Sequence, residues 1–508
     1  MRTPNTHPKD SGAPLECDAV ADSADKPSVA IVGAGFGGVG MAARLKLAGF
    51  EDVTVFERGE TVGGVWRRNT YPGATCDVPS HLYSFSFARG DRWTRRFAPQ
   101  PEILDYLERT VDEFGLRPHL RLGTEVSAAE FDEASGHWRL TTASGEEHRA
   151  DLLVTACGQL TTPAIPSVPG IEEFEGPSFH SADWDHDLDL SGLDVAVIGT
   201  GASAIQFVPA IADEAGSLTI YQRSAPWILP KNDRPYPEWE QRLFQRMPAR
   251  VAAARVANFA IFEAFTYGFT GNDAVMRPVR AVADHYRNRE LADPELRRRA
   301  TPDYEIGCKR VLITNDWYST LARPDVELVD EPIERVTAGG VIGADGVERR
   351  ADAIIYGTGF RSHDFVAPME VRGRDGRELG EVWAETPGAH LGMAVSGFPN
   401  MFVLYGPNTN HGAGSVIYTL ECQFNQVVDA AERLRDGRLR WLDVRPEAQA
   451  EWQEEIDRRS ADTVWINGGC GNWYVDERGR NTNNWVGSWL EYRRRTRHLD
   501  PAAYEFVA

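Results

Sequence analysis

Ser28-Val-Ala-Ile-Val-Gly-Ala-Gly-Phe-Gly-Gly38 is an apolar run that ends in glycines and passes into a helical stretch reaching Leu47. A run this short, bounded by turn residues and rich in β-branched side chains, reads as a buried strand. Gly33, Gly35 and Gly38 have the G-x-G-x-x-G spacing. The first permits a tight turn, the second lets a pyrophosphate approach the backbone, and the third lets helix and strand pack closely. The helix N-terminus offers free N–H groups and a positive dipole end to an anion. A second strand, Val53 to Phe56, ends in Glu57, 24 residues after Gly33. A carboxylate there accepts hydrogen bonds from ribose hydroxyls and repels a 2′-phosphate.

The pattern recurs in Asp194-Val-Ala-Val-Ile-Gly-Thr-Gly-Ala-Ser-Ala204. Gly199, Gly201 and Ala204 fit the G-x-G-x-x-A variant, with Thr200, Ala202 and Ser203 completing the turn. Here the residue 24 beyond the first glycine is Arg223, followed by Ser224. A guanidinium in place of the acid pairs bidentately with a 2′-phosphate. Two dinucleotides of different kind on one chain point to FAD and NADP. The expected fold class is α/β, with two Rossmann-like dinucleotide-binding domains and an inserted helical subdomain.

Three prolines in Thr161-Thr-Pro-Ala-Ile-Pro-Ser-Val-Pro-Gly170 mark a stiff linker between the units. From about residue 230 the period turns helical, with Phe259, Phe262 and Phe265 on one face. That face reads as core packing before substrate contact. The expected division is a disordered tail over 1–27, an FAD-binding domain over 28–160 and 356–508, an NADP-binding domain over 161–229 and 306–355, and the helical insertion over 230–305.

The net charge of −21 argues against a nucleic-acid partner. No stretch of about 18 uninterrupted apolar residues is present, and the nearest, Val251 to Phe269, is broken by Arg255, Asn258 and Glu263. Residues 1–27 have no apolar core of a signal peptide. The six cysteines lie far apart with no C-x-x-C, so no disulfide scaffold, zinc site or redox dithiol is expected. Free thiols and the absence of a leader suggest the cytoplasm. Only 5 of the 54 basic residues are lysine, which draws attention to Lys309 in Gly307-Cys-Lys-Arg310.

Four motifs carry a family resemblance. Phe174-x-Gly176-x-x-x-His180-x-x-x-Trp184-Asp185 matches the fingerprint F-x-G-x-x-x-H-x-x-x-W-[P/D] of type I Baeyer–Villiger monooxygenases. Gly63-Gly64-Val65-Trp66 with Tyr71-Pro72-Gly73 and Asp77 resembles a second pattern of that family. Gly307-Cys-Lys-Arg310 with Asn315-Asp-Trp-Tyr318, and Gly406-Pro-Asn-Thr-Asn410, supply the third and fourth. The strand-and-turn Ala353-Ile-Ile-Tyr-Gly-Thr-Gly-Phe360 resembles the return of such chains to the flavin domain. The resemblance covers residues 28 to about 505.

It implies that NADPH reduces FAD, that the reduced flavin and dioxygen form a C4a-peroxyflavin, and that a ketone is converted to an ester or lactone. It places Gly64, Val65, Trp66, Asp77, Tyr83 and Val126 around the flavin. It makes Arg310 the cation beside the developing anion, with Asp77 as its holder, and sets Lys309 beside Arg223 on the 2′-phosphate. Trp485, in Asn481-Thr-Asn-Asn-Trp-Val-Gly487, is assigned to a mobile loop closing over the nicotinamide nucleotide, although valine stands where relatives carry proline. Two competing readings are a flavin monooxygenase acting on nitrogen or sulfur, and a pyridine-nucleotide flavin reductase.

Overall fold

A computed structural model describes residues 26–88 and 90–508. The expected tail lies outside the described residues except for Lys26 and Pro27.

Val29–Val32 forms the middle of a five-stranded parallel sheet, in the order Met401–Val403, Leu152–Thr155, Val29–Val32, Val53–Phe56, Leu120–Arg121. Val29 pairs with both Val53 and Leu152. A strand with partners on both edges and helices over its faces must be apolar throughout, which is what its sequence supplies. The helix Phe36–Leu47 follows the glycine turn and packs on the C-terminal helix Val416–Gly437. A smaller sheet orders Glu370–Arg372, Val126–Asp132, His137–Thr142 and Glu147–Ala150.

The second glycine unit begins another five-stranded parallel sheet, in the order Val326–Val329, Ser217–Tyr221, Asp194–Ile198, Ala353–Tyr356, Ser178–His180. The two sheets are joined by paired crossings. Ala164 N donates to Gly359 O at 2.9 Å, and Thr358 Oγ1 donates to Ala164 O at 2.6 Å. The proline-rich linker therefore runs beside the strand that returns toward the first sheet.

Between Ile228–Leu229 and Leu312–Ile313, which pair with each other, the chain forms the helices Glu238–Arg246, Pro248–Phe269, Asp273–Glu290 and Pro294–Arg299. Phe259 and Phe262 pack on Trp489, and Phe265 packs on Phe269. The aromatic face is thus a core between the insertion and the C-terminal segment. Glu263, which interrupts the apolar run in sequence, is buried and accepts from Trp489 N at 2.9 Å. Its carboxylate meets the free N–H groups at the start of helix Trp489–Arg495. Among the described residues no helix is long and apolar enough to cross a membrane.

One sequence expectation fails here. Cys308 and Cys470 form a disulfide across 162 residues, with Cα atoms 6.2 Å apart. Motif spacing reports cysteines that are neighbours in sequence and is blind to a pair made by folding. Cys76, Cys157 and Cys422 are free. The inference to a reducing compartment rested on wholly unpaired thiols and loses that basis.

Candidate active site

The first glycine turn opens a cleft whose walls come from several distant stretches. Gly33, Gly35, Glu57, Gly64, Val65, Tyr83 and Val126 line it together, with Cys157, Leu404 and Tyr405 from later segments. Gly33 has φ +106°, and a Cβ there would meet Ala156 O at 2.5 Å. Gly38 stands behind the turn, where a Cβ would lie 1.8 Å from Gly33 O. Gly35 differs, because a Cβ there would touch only Gly64 Cα at 3.4 Å, an ordinary contact. The protein's own packing does not require glycine at 35. A ligand lying against that backbone does, as a dinucleotide pyrophosphate would.

Glu57 is buried and accepts from Ala34 N at 2.9 Å and Gly59 N at 2.8 Å. The carboxylate fixes the phosphate turn while its remaining lone pairs face the cleft. Trp66 does not line the cleft; its indole N–H donates to Tyr83 Oη at 3.0 Å and sets the tyrosine's position. These residues fit FAD.

In the second unit, Gly201 is likewise unconfined by protein, with Gly357 O 3.7 Å from a built Cβ. Ala204 is tolerated where the first unit needs glycine because it faces Gly357, itself without a side chain. Gly199, Thr200, Gly201, Ala202 and Ser203 form the turn before helix Ala204–Ile211. Thr200 Oγ1 donates to Ser224 O at 3.3 Å, and Lys309 Nζ donates to Ser224 Oγ. Arg223 is exposed. Burial lowers the Lys309 pKa first, and the field of Arg223 lowers it further. Two cations held close enough to oppose each other fit a bound 2′-phosphate, and hence NADP.

Lys309 and Arg310 look opposite ways. Arg310 Nε and Nη2 both lie 2.7 Å from Asp77 Oδ2. Burial opposes its charge, but Asp77, with Tyr474 and Tyr405, outweighs burial and holds the guanidinium pKa above its usual value. Tyr405 lines the flavin cleft. The cation is thus next in sequence to Lys309 at the second glycine unit and within electrostatic reach of Tyr405 on the wall of the flavin cleft. The loop bearing Asp77 is braced from the second unit: Gln206 Nε2 donates to Thr75 O at 3.0 Å, and Tyr71 Oη donates to Gln206 Oε1 at 3.1 Å.

Sequence reading missed Tyr405, Tyr474 and Lys231. Tyr405 immediately precedes the Gly406-Pro407-Asn408 motif and donates to Asn410 Oδ1 at 2.6 Å. Tyr474 is fully buried and its hydroxyl has no hydrogen-bond partner among the described residues. Burial pushes its pKa up to about 12, although Arg310 pulls the other way. Lys231 Nζ donates to Thr75 Oγ1 at 2.9 Å.

Two motif residues do structural work. His180 Nδ1 accepts from Ala182 N at 3.1 Å, and Trp184 packs on Phe207. Between them Asp183 holds Arg68 through Nε and Nη2 at 2.8 and 2.7 Å, tying the linker to the flavin side. Trp485, expected in the loop over the nicotinamide nucleotide, is packed away from solvent in this structure. Its ring is 1% exposed, lies parallel to Trp452 at 5.3 Å, and donates through Nε1 to Ser488 O at 3.0 Å. A ring stacked on one face and bonded at its edge belongs, in this arrangement of the chain, to the C-terminal core.

Two dinucleotide-binding units together with one cation fixed by a carboxylate define a two-cofactor flavoprotein oxidoreductase. The flavin-binding monooxygenase-like family matches residues 26–264. A Baeyer-Villiger monooxygenase from Pseudomonas aeruginosa is 44% identical over 94% of this chain and 91% of its own length. One from Streptomyces coelicolor is also 44% identical, over 94% of this chain and 92% of its own. The crystal structure of cyclohexanone monooxygenase from Rhodococcus sp. Phi1 bound to NADP+ superposes with a TM-score of 0.85 at 28% identity, covering 95% of this chain and 99% of that one. The chain belongs to the type I Baeyer–Villiger monooxygenases, and its cofactors are FAD and NADP.

Proposed function

We propose that the protein inserts one oxygen atom of dioxygen beside the carbonyl of a ketone, giving an ester or lactone, with Arg310 as the catalytic cation. The observation that carries this reading is the Arg310–Asp77 pair, which brings together two segments 233 residues apart. Bound FAD, reduced by NADPH, supplies the activated oxygen. The chain's own residues supply orientation and charge. Negative charge develops on the attacking oxygen and then on the former carbonyl oxygen, and a guanidinium already in place stabilises both. Arginine suits this role because it stays charged at every working pH, and the bonded Asp77 carboxylate reinforces that. Asp77 is a positioning residue: it fixes two guanidinium nitrogens through one carboxylate oxygen. Arg223 and Lys309 hold the 2′-phosphate, and Gly33, Gly35, Glu57 and Gly64 form the flavin's cradle.

The test separates reduction from oxygenation. Arg310→Ala should still be reduced by NADPH in stopped-flow absorbance, yet lose oxygenation by at least about 100-fold and release hydrogen peroxide. Asp77→Ala should show a milder defect, since the cation remains. Offering a cyclic ketone and a thioether side by side distinguishes heteroatom oxygenation. Normal ester yield from Arg310→Ala would remove the central residue of this reading and favour the thioether chemistry.

A further inference from the structure

The loop 305–310 supplies the half-buried Arg310, and the loop 468–474 supplies Tyr474, whose pKa the Arg310 charge pulls down against burial. Neither loop is stiff on its own account. Gly307 precedes Cys308 with φ +95°, and Gly468, Gly469 and Gly471 surround Cys470. Beside a weak contact of Asn472 Nδ2 with Cys308 Sγ at 3.9 Å, two fastenings hold them together. Glu305 N donates to Gly468 O at 2.9 Å, and the Cys308–Cys470 disulfide closes beside it. The approach is close enough that a Cβ on Gly468 would lie 2.7 Å from Cys308 Cβ. Cys308 adjoins Lys309 and lies two residues before Arg310, and Cys470 lies four residues before Tyr474.

We propose that the Cys308–Cys470 bridge is a positioning clasp, opened by a dithiol, that holds Lys309 and Arg310 in register with Tyr474 and thereby couples NADPH consumption to oxygenation. The inference rests on the roles of Arg310 and Lys309 given above. The chemistry balances as thiol–disulfide exchange. Cys308 is buried, whereas Cys470 is partly exposed, so a thiolate of the dithiol attacks Sγ of Cys470. The S–S bond breaks, and its electron pair leaves on the Cys308 sulfur, which takes up a proton. The second thiol of the reductant then displaces the Cys470 sulfur. The enzyme gains two electrons and two protons, and the reductant leaves as its cyclic disulfide.

Opening the clasp leaves one backbone hydrogen bond between two glycine-rich loops. Misplacing a positioned group by about 1 Å can cost on the order of 100-fold. The experiment treats the holoenzyme with dithiothreitol and counts alkylated thiols by mass. Product formed per NADPH consumed and the KM for NADPH are then measured, beside folded Cys470→Ser. Release of two additional thiols should lower coupling at least about fivefold and raise the KM for NADPH several-fold, with NADPH consumption itself changed less. Reoxidation should restore both. Cys470→Ser should sit in the low-coupling state and be indifferent to reductant.

Unchanged coupling and KM in wild-type enzyme that has gained the two thiols would overturn the proposal. If the bridge resists reductant, unchanged values in folded Cys470→Ser would overturn it. Arg310→Ala run alongside separates the two readings. Loss of ester in Arg310→Ala, with normal coupling once the bridge is open, sinks the clasp alone, whereas normal ester yield from Arg310→Ala sinks the function reading itself.

Discussion

Arg223→Ala is the substitution whose consequences the geometry fixes most tightly. A charge-assisted hydrogen bond to a phosphate contributes roughly 1.5–3 kcal/mol, which is about 10- to 150-fold in affinity. The low end is expected, because the change has a partly compensating effect on Lys309. Burial and then the field of Arg223 lower that lysine's pKa. Deleting Arg223 removes the second cause, so the Lys309 pKa rises and more of the ammonium is present to meet the phosphate. The cationic form is the binding form, so affinity for NADPH falls as pH rises through the Lys309 pKa. In the variant that fall moves to higher pH, although binding is weaker at every pH.

NADH lacks the 2′-phosphate and should show neither effect. Steady-state kinetics with both coenzymes as a function of pH would measure this. Equal losses with NADPH and NADH would show that Arg223 is structural. An inflection that stays put, or moves to lower pH, would refute the coupling between the two cations.

Two further outcomes follow from other parts of the molecule. Gly35→Val should fold but purify without yellow colour, since its side chain enters the cleft, whereas Gly38→Ala should fail to fold because its Cβ has no room beside Gly33 O; stoichiometric FAD in Gly35→Val would refute the cradle. Asp443 is buried, accepts from Gly397 N at 3.0 Å, and has its pKa raised to about 6, by burial above all. Its folded pKa exceeds its unfolded value, so wild-type stability falls as pH rises from about 4 to 6, by about 2–3 kcal/mol. Asp443→Asn should flatten that slope in denaturant titrations, and an unchanged slope would assign it to other groups.

What the sequence disclosed depended on distance along the chain. Each phosphate turn and its diagnostic residue sit within 24 residues, as Gly33 with Glu57 and Gly199 with Arg223. Strand, turn and helix there are neighbours both in sequence and in space, so spacing alone reveals them. Arg310 and Asp77 are 233 residues apart, and only the resemblance to a family connected them. The Cys308–Cys470 pair had no such aid and was missed. Tyr474 escaped for another reason: an aromatic residue in a polar stretch reads as surface or core, and nothing local shows that its hydroxyl ends beside a cation.

The burial of Trp485 and the segment before it has a physical cause that reaches the site. Asn481-Thr-Asn-Asn484 is polar, and polarity without period reads as a solvated loop, yet all four residues are at most 2% exposed. Their side chains take the place of regular secondary structure. Asn408 Nδ2 donates to Asn481 O at 2.7 Å, Asn481 Nδ2 donates to Ser460 Oγ at 3.0 Å, and Asn410 Nδ2 donates to Asn484 Oδ1 at 2.7 Å. The Asn410 oxygen in turn receives the Tyr405 hydroxyl. A ladder of buried amides thus runs from the flavin cleft to the stacked Trp452–Trp485 pair. Within it the loss of one member strands its partner without water, at a cost of about 1–3 kcal/mol for each group left unpaired. The segment that composition marks as mobile is therefore held by its own polar side chains. Tyr405, which lines the flavin cleft, inherits its position from that ladder.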